Sequence, residues 1–173
     1  EPLRGLLDER KEGVRAEAIM ALGRIGPDAE AAVPDLVRRL GDKSERIGRE
    51  ASLALGRIGA PAVEPLIAAA SARETLVRAR AVEALGATPL LKGPGLQAVL
   101  TCANDAEPAV RAAALRALSK LATADDVALP ILKENLRHGD ETVRRAAVDW
   151  VAADRRLLST LAPDLETLLT ADS

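Results

Sequence analysis

The sequence has almost no aromatic residues. Among its 173 residues, Trp150 is the only tryptophan, and there is no phenylalanine or tyrosine. The 48% of residues that are hydrophobic are therefore mostly Ala, Leu, Val and Ile. An interior of such side chains is typical of closely stacked helices and not of a β-sandwich. The same absence removes the stacking platforms on which single-stranded nucleic acid usually binds.

Cysteine and histidine each occur once, as Cys102 and His138. A disulfide framework needs paired cysteines, and a metal site needs several His, Cys or carboxylate ligands together. Cys102 lies in an apolar stretch and is predicted to be a small buried side chain, whereas His138 lies in a polar turn. There is no His-Glu-x-x-His, Gly-x-Ser-x-Gly or Gly-x4-Gly-Lys-Ser/Thr motif. The sequence therefore predicts no catalytic, cofactor or metal site.

Neither positive nor negative charge is in clear excess, since the sequence has 24 Lys and Arg residues and 26 Asp and Glu residues. Nucleic-acid binding relies on clustered basic side chains that neutralise phosphates, so nucleic acid is not an expected partner. No apolar run reaches the roughly 18 residues of a membrane span, and the first residues do not read as a signal peptide. The segment is predicted to be soluble, cytoplasmic by default and free of membrane contacts. Its Ala-rich, Arg-over-Lys composition suggests a bacterial source.

What the sequence does contain is one motif that is repeated five times. Each copy begins with a β-branched residue, usually followed by Arg, and reaches Ala-Leu-Gly or a variant of it seven residues later. The copies begin at Val14, Ile47, Val77, Val110 and Val143, with spacings of 33, 30, 33 and 33 residues. A period of this length predicts one helical unit that stacks on itself into a solenoid. Residues 1–173 are thus expected to form a single domain of about five repeats of 30–33 residues.

Two apolar stripes with helical spacing recur in each repeat. The stripe at the repeated Val or Ile predicts a helix that we call helix B, and the stripe beside a proline 17 to 20 residues later predicts helix A. Helix B is expected near residues 12–25, 44–58, 74–86, 108–121 and 141–152. Helix A is expected near residues 28–40, 61–70, 94–103, 125–137 and 156–170. Asp or Ser residues in the turns between A and B are expected to cap helix B.

The best copies read Asp-x(n)-Val-Arg-x-x-Ala-x-x-Ala-Leu-Gly-x-Ile-Gly, from Asp8 to Gly26 and, with Ile47-Gly48 in place of Val-Arg, from Asp42 to Gly59. This pattern resembles HEAT repeats, particularly the bacterial HEAT-like type also found in phycobilisome lyases. The resemblance covers essentially the whole chain and implies an all-α, right-handed α-α superhelix of the HEAT type.

The resemblance also implies a ladder in which helix-B arginines and turn aspartates pair between repeats. The expected ladder residues are Asp8, Arg15, Asp42, Arg78, Asp105, Arg111, Asp140 and Arg144. Gly48 is expected to break the ladder in the second repeat. Ser119 and Ala152 replace the helix-B glycine and are expected to change packing or curvature locally.

Both ends of the sequence fall inside repeats. Residues 3–7 resemble the last half of a helix A, and the sequence stops after another helix A. We therefore expect a segment of a longer chain, because a solenoid ends in capping repeats. The alternative is that the C-terminal helix is itself a cap, and the bulky Trp150 at a position usually held by Ala favours it.

In HEAT repeats helix B lines the concave wall, and residues two, three, six and ten positions after the repeated Val are expected to point away from the core. The candidate partner-binding residues in these columns are Met20, Arg24, Arg49, Leu53, Arg57, Arg80, Glu83, Arg116 and Lys120. Met20 and Leu53 would form a small apolar spot, with Arg24 and Arg57 one turn away. Such a surface suits a segment with an apolar residue beside an acidic one.

The first hypothesis is a non-catalytic scaffold that binds a partner protein or peptide along the concave helix-B surface, without a cofactor. Two alternatives stay open. One is a bilin lyase-type subunit that acts on phycobiliproteins, which only the resemblance implies. The other is a structural spacer in a multidomain protein. The sequence predicts neither the partner nor the oligomeric state.

Overall fold

The computed structural model describes residues 2–121 and 125–171, and these fold into α-helices and short 3-10 turns. The helices are α1 (Pro2–Gly5), α2 (Glu12–Ile25), α3 (Val33–Arg39), α4 (Glu45–Ile58), α5 (Val63–Ala69), α6 (Thr75–Gly86), α7 (Gly93–Cys102), α8 (Pro108–Leu118), α9 (Asp125–Asn135), α10 (Glu141–Ala153) and α11 (Arg155–Ala171).

The helices form two layers. Helices α2, α4, α6, α8 and α10 pack side by side and are called the B layer. Helices α3, α5, α7 and α9 lie behind it, each against the B-layer helix that follows in the chain. The predicted all-α, right-handed superhelix is confirmed.

Helix A begins later than expected in the first two repeats. Gly26–Ala32 and Ala60–Ala62 are 3-10 turns, and α3 and α5 start only after them. Gly26 and Gly59 end α2 and α4 with φ angles of +71° and +74°, where any residue with a Cβ would be strained. Local turn chemistry at these glycines therefore overrides the helical spacing that follows them.

The prolines of helix A do not share one position. Pro34 and Pro94 lie in the first turn of α3 and α7, as expected for a residue without an N–H. Pro130 and Pro163 lie inside α9 and α11, where a proline removes one hydrogen bond from the helix.

Neighbouring B-layer helices approach each other through glycine. A Cβ on Gly23 would lie 2.9 Å from the Cα of Ala54, and one on Gly86 would lie 2.8 Å from the Cα of Ala117. Since real Cβ atoms do not come so close, the glycine of Ala-Leu-Gly permits this contact between helices. The equivalent residue after α8 is Ser119, so a glycine contact does not form between α8 and α10.

Turn aspartates precede three of the B-layer helices, but of these aspartates only Asp140 is itself an N-cap, since the N-cap is Ser44 for α4 and Glu107 for α8. Asp42, Asp105 and Asp140 each accept a hydrogen bond from the amide two residues later, at 2.9, 2.9 and 2.8 Å. This Asx turn fixes the chain direction just before α4, α8 and α10.

The repeated arginines pair mainly with their own turns. The Nη1 atoms of Arg15, Arg78 and Arg144 donate to the carbonyls five and six residues earlier, at 2.8 to 3.1 Å. Arg111 reaches the carbonyl six residues earlier through Nε, at 2.8 Å. Each side chain thus satisfies backbone oxygens that no helix can pair.

The expected pairing between repeats is present for Arg78. Its Nε and Nη2 donate to the two carboxylate oxygens of Asp105 at 2.9 and 3.0 Å. Arg111 instead donates to Glu134 and to Asn135, both at 3.1 Å.

Two other aspartates of the expected ladder face Arg39. Asp8 accepts a hydrogen bond from Arg39, and Asp42 lies 3.9 Å from it. The ladder is therefore a set of related contacts and not one repeated pair.

Gly48 leaves the second repeat without a helix-B arginine of its own, but the turn before α4 still receives a guanidinium. Arg80, from the next repeat, donates through Nη1 to the carbonyl of Leu40 at 2.5 Å and to that of Asp42 at 3.4 Å. The carbonyl of Asp42 lies six residues before Gly48, so it is the one an arginine at position 48 would bind. The Nη2 atom of Arg80 also donates to Glu45 at 2.7 Å.

Gly48 and Arg80 depend on each other where the second repeat packs against the third. A Cβ on Gly48 would lie 1.9 Å from Nη1 of Arg80, so only glycine leaves room for the guanidinium. Arg80 is 3% exposed, and its carbonyl accepts a hydrogen bond from Ser52 at 2.9 Å. Arg80 is therefore an interior residue and not the exposed concave-wall residue that its sequence column suggested.

We predict that Gly48→Ala lowers the free energy of unfolding by about 2 kcal/mol, because the displaced guanidinium loses its charged hydrogen bonds. In an Arg80→Ala background, the same change should be neutral or stabilising by about 0.5–1 kcal/mol, the helix propensity of Ala over Gly. Urea unfolding of the four proteins measures both effects. Gly13→Ala is the control, since its Cβ would meet nothing within 4 Å. An equal cost of Gly48→Ala in both backgrounds would contradict the coupling.

The pKa of Asp105 yields a second prediction. Burial favours the neutral carboxyl, but hydrogen bonds from Arg78 and from the amide of Glu107 outweigh it and lower the pKa of Asp105. A lowered folded-state pKa adds stability above the unfolded value of about 3.9, and this stability is lost as the pH falls through the folded pKa.

Asp105→Asn should therefore cost about 2 kcal/mol at neutral pH and less at a pH below the unfolded value of about 3.9, because the stability from the lowered pKa of Asp105 is lost as the pH falls toward the folded-state pKa. Urea unfolding at both pH values tests this. The exposed Asp28→Asn variant should change little at either. A cost for Asp105→Asn that is the same at both pH values would show that the ion pair does not carry the stability.

Candidate functional site

The exposed face of the B layer carries an open groove of about 640 Å³. It crosses α4, α6 and α8 and reaches α10, and we call it the B-layer groove. Its floor is made of alanines from α6, α8 and the residue that follows α6. These are Ala79, Ala87, Ala109, Ala112, Ala113 and Ala117. Because alanine side chains are short, the floor lies below the longer side chains around it.

Two leucines stand in the groove. Leu53 of α4 is 44% exposed and Leu76 of α6 is 46% exposed. Both lie beside the alanine floor, so the groove combines an apolar base with apolar edges. A surface of this kind is characteristic of protein interaction sites.

The charges in the groove are unevenly satisfied. Both acidic side chains that line it are paired, Glu45 with Arg80 at 2.7 Å and Glu83 with Arg116 at 3.3 Å. Among the described residues, no carboxylate lies within 4.0 Å of the charged groups of Arg49 or Lys120. The groove therefore has an uncompensated positive charge.

Six of the nine candidate partner-binding residues line this groove. They are Arg49, Leu53, Arg80, Glu83, Arg116 and Lys120. Arg80 lies at its base, where the guanidinium is buried against the turn before α4. The other five offer exposed side chains to the groove.

The remaining three candidates lie outside the groove lining. Met20 is half-buried on α2, and Arg57 is exposed. Arg24 lines a separate recess with Leu3 and Leu6, on the side of α2 that faces α1. The structure therefore does not bring the four residues of the expected apolar and basic spot together in one groove.

Sequence reasoning missed one column of the groove. Leu76, Ala109 and Thr142 each directly precede the repeated Val and all line the groove. A helix returns to the same face every three to four residues. The position before Val therefore shares a face with the positions three and six residues after Val, which are four and seven residues further along the helix. This spacing was the available signal.

The single cysteine and the single histidine of the sequence both serve the fold, since Cys102 is buried and His138 is hydrogen-bonded within a turn. Cys102 is 6% exposed, and burial, aided by the charge of Asp105, raises the pKa of its thiol to about 11. His138 accepts a hydrogen bond from the amide of Asp140 at 3.1 Å within the turn before α10. In residues 2–121 and 125–171, no three His, Cys, Asp or Glu side chains lie together as metal ligands would.

The family of the chain follows from this repeated architecture and from its sequence. The family model for HEAT repeats matches residues 1–86 and 63–152, so the chain belongs to the HEAT repeat family. The resemblance to HEAT repeats that was inferred from the repeated motif is thereby confirmed. No curated protein is significantly similar to the sequence. Within the described residues, no helix has both the length and the apolar character needed to cross a membrane.

Solved structures with the same fold include one natural relative of similar size. The complex of CpcE and CpcF of phycocyanin lyase from Nostoc sp. PCC7120 contains a chain that is 27% identical, with a TM-score of 0.63. The match covers 86% of this chain and 95% of that one.

Two further structures show the fold alone. A designed armadillo repeat protein in complex with the peptide (KR)4 is 24% identical, with a TM-score of 0.53, over 88% of this chain and 80% of that one. A condensin subcomplex of S. pombe is 23% identical, with a TM-score of 0.59, over 87% of this chain and 22% of that one.

The position of Cys102 predicts low thiol reactivity. At pH 8 the folded protein should react with a thiol reagent at least about a hundredfold more slowly than the unfolded protein, because a buried thiol with a raised pKa is rarely a thiolate. The rate is measured from the absorbance of the chromophore that the thiol reagent releases when it reacts. A Thr101→Cys/Cys102→Ser protein, whose thiol is at an exposed position, is the fast-reacting control. Equal rates for the two folded proteins would refute the prediction.

Proposed function

We propose that this chain is a non-catalytic protein-interaction scaffold that binds a segment of a partner protein in the B-layer groove. The observation that carries the proposal is the pair of exposed leucines beside a floor of alanines. An amphipathic partner segment can place apolar side chains in such a groove. The groove volume of about 640 Å³ is also in the range of ligand-binding clefts. Membership of the HEAT repeat family supports the same class of function, because its fold is typical of interaction scaffolds.

The apolar contacts would supply most of the affinity. Completing the burial of a half-exposed leucine contributes about 1 kcal/mol, so Leu53 and Leu76 together contribute about 2 kcal/mol. Exposed ion pairs are worth about 0–1 kcal/mol each. In this proposal Arg49, Arg116 and Lys120 mainly select and orient the partner.

The remaining candidates have other roles in the proposal. Arg80 holds α4 and α6 in the arrangement that forms the groove. Met20, Arg24 and Arg57 contact only a partner that extends along the B layer toward α2.

A second candidate function is that of a subunit in a bilin lyase acting on phycobiliproteins. The similarity to a chain of the CpcE and CpcF complex, which covers nearly the whole of both chains, supports this candidate. The buried Cys102 does not favour a covalent role of this chain's own thiol. A bilin absorbance change when the chain is mixed with bilin and an apo-phycobiliprotein would favour the lyase, and an unchanged spectrum would oppose it.

Capture of partners tests the scaffold. In pull-downs from a lysate of the source organism, Leu53→Glu/Leu76→Glu should lower the recovery of a bound protein at least about tenfold, a loss of about 1.4 kcal/mol. Mass spectrometry identifies the protein. Val148→Glu/Leu158→Glu is the matched control, since these side chains have nearly the same exposed fractions and lie on α10 and α11.

Equal loss with both double variants would show that the groove is not the site. If the unmodified chain captures no protein at all, the structural spacer becomes the better interpretation.

A further inference from the structure

We infer that the partner segment in the B-layer groove is acidic and carries bulky aliphatic side chains. This inference rests on the proposed function and specifies the chemistry of the partner. It follows from the charges that remain free in the groove and from the side chains that form its floor.

The free charges of the groove are positive and lie on separate helices. Arg49 belongs to α4, and Lys120 follows α8. Neither has a carboxylate partner among the described residues. A segment that crosses from α4 to α8 therefore passes one unpaired cation near each end. Carboxylates on both sides of its apolar residues would match this spacing of charge.

Within the lining of the groove, a basic segment would have no free carboxylate to bind. Glu45 has a side chain that is 71% exposed, and its carboxylate is already held at 2.7 Å by the guanidinium of Arg80. In the pair of Glu83 and Arg116 both side chains are partly exposed, at 41% and 47%. This pair can open at low cost, and it then offers Arg116 to an acidic segment.

The floor of the groove favours aliphatic side chains over polar ones. Ser52 lines the groove, but its hydroxyl already donates to the carbonyl of Arg80 at 2.9 Å. The hydroxyl of Ser119, which also lines the groove, donates to the carbonyl of Arg116 at 2.8 Å, and the alanines of the floor offer no side-chain hydrogen bond. The groove also lacks aromatic side chains on which nucleotide bases could stack, so an acidic protein segment fits better than a nucleic acid.

Fluorescence anisotropy with three labelled peptides tests the inference. The first peptide has leucines at helical spacing and glutamates elsewhere. In the second, every glutamate is replaced by lysine, and in the third every leucine is replaced by alanine. The first should bind at least about tenfold more tightly than either of the others, and its advantage over the lysine peptide should shrink when salt is raised from about 0.05 M to 0.3 M.

Charge reversal in the chain provides the matched comparison. Arg49→Glu/Lys120→Glu should remove the preference for the glutamate peptide. Arg10→Glu/Lys92→Glu changes the net charge equally, at exposed positions outside the groove, and should retain most of the preference. Circular dichroism confirms that both variants remain folded.

Several outcomes overturn the inference. They are equal or tighter binding of the lysine peptide, no measurable binding of the glutamate peptide at about millimolar concentration, or tighter binding of a labelled single-stranded oligonucleotide. Equal losses in both charge-reversal variants would do the same.

The peptides also separate this inference from the proposed function. If the lysine peptide binds best and Leu53→Glu/Leu76→Glu abolishes its binding, the groove remains the docking site and only its acidic preference is wrong. If Leu53→Glu/Leu76→Glu leaves binding of the glutamate peptide intact, the groove is not the docking site and both proposals fail.

Discussion

The fold depends on pairing the backbone carbonyls of the turns between the two helices of a repeat. These carbonyls have no partner within either helix, and they range from exposed at Glu9 through part-buried at Ala72 to buried at Leu40, where an oxygen without a hydrogen bond would be costly. The chain meets this requirement with guanidinium groups, supplied within the repeat by Arg15, Arg78, Arg111 and Arg144. In the second repeat, Arg80 supplies it from the next repeat. The arginines therefore fix each turn, and with it the angle at which helix B leaves helix A.

The second constraint is the close contact between neighbouring B-layer helices. Glycines such as Gly23 and Gly86 let the backbone of the next helix approach, and small residues opposite them keep the layer thin. The same preference for small side chains produces the alanine floor of the B-layer groove. The close packing of the B-layer helices and the recess on their exposed face thus have one physical origin. The positive character of the groove has another, because both acidic side chains that line it are already held by arginines.

Much of the fold could be predicted from the sequence, but only part of the candidate site. The period of 30 to 33 residues and the helical spacing within it are local properties, and they fixed the fold class and the number of repeats. Five exposed residues of the groove were also found by counting from the repeated Val. Leu76 was missed because the position before Val was not counted as part of the same helix face.

The sequence by itself determined the repeat, the helices and the scarcity of cysteine, histidine and aromatic residues, since each depends on residue types and on spacing along the chain. The tertiary structure decided which residues meet across repeats. Gly48 and Arg80 are 32 positions apart, and no local pattern shows that one makes room for the other. The stacking of the helices likewise decided that Arg80 is interior and that Leu53 and Leu76 share one groove. Such contacts depend on how one repeat is placed against the next, which local spacing does not specify.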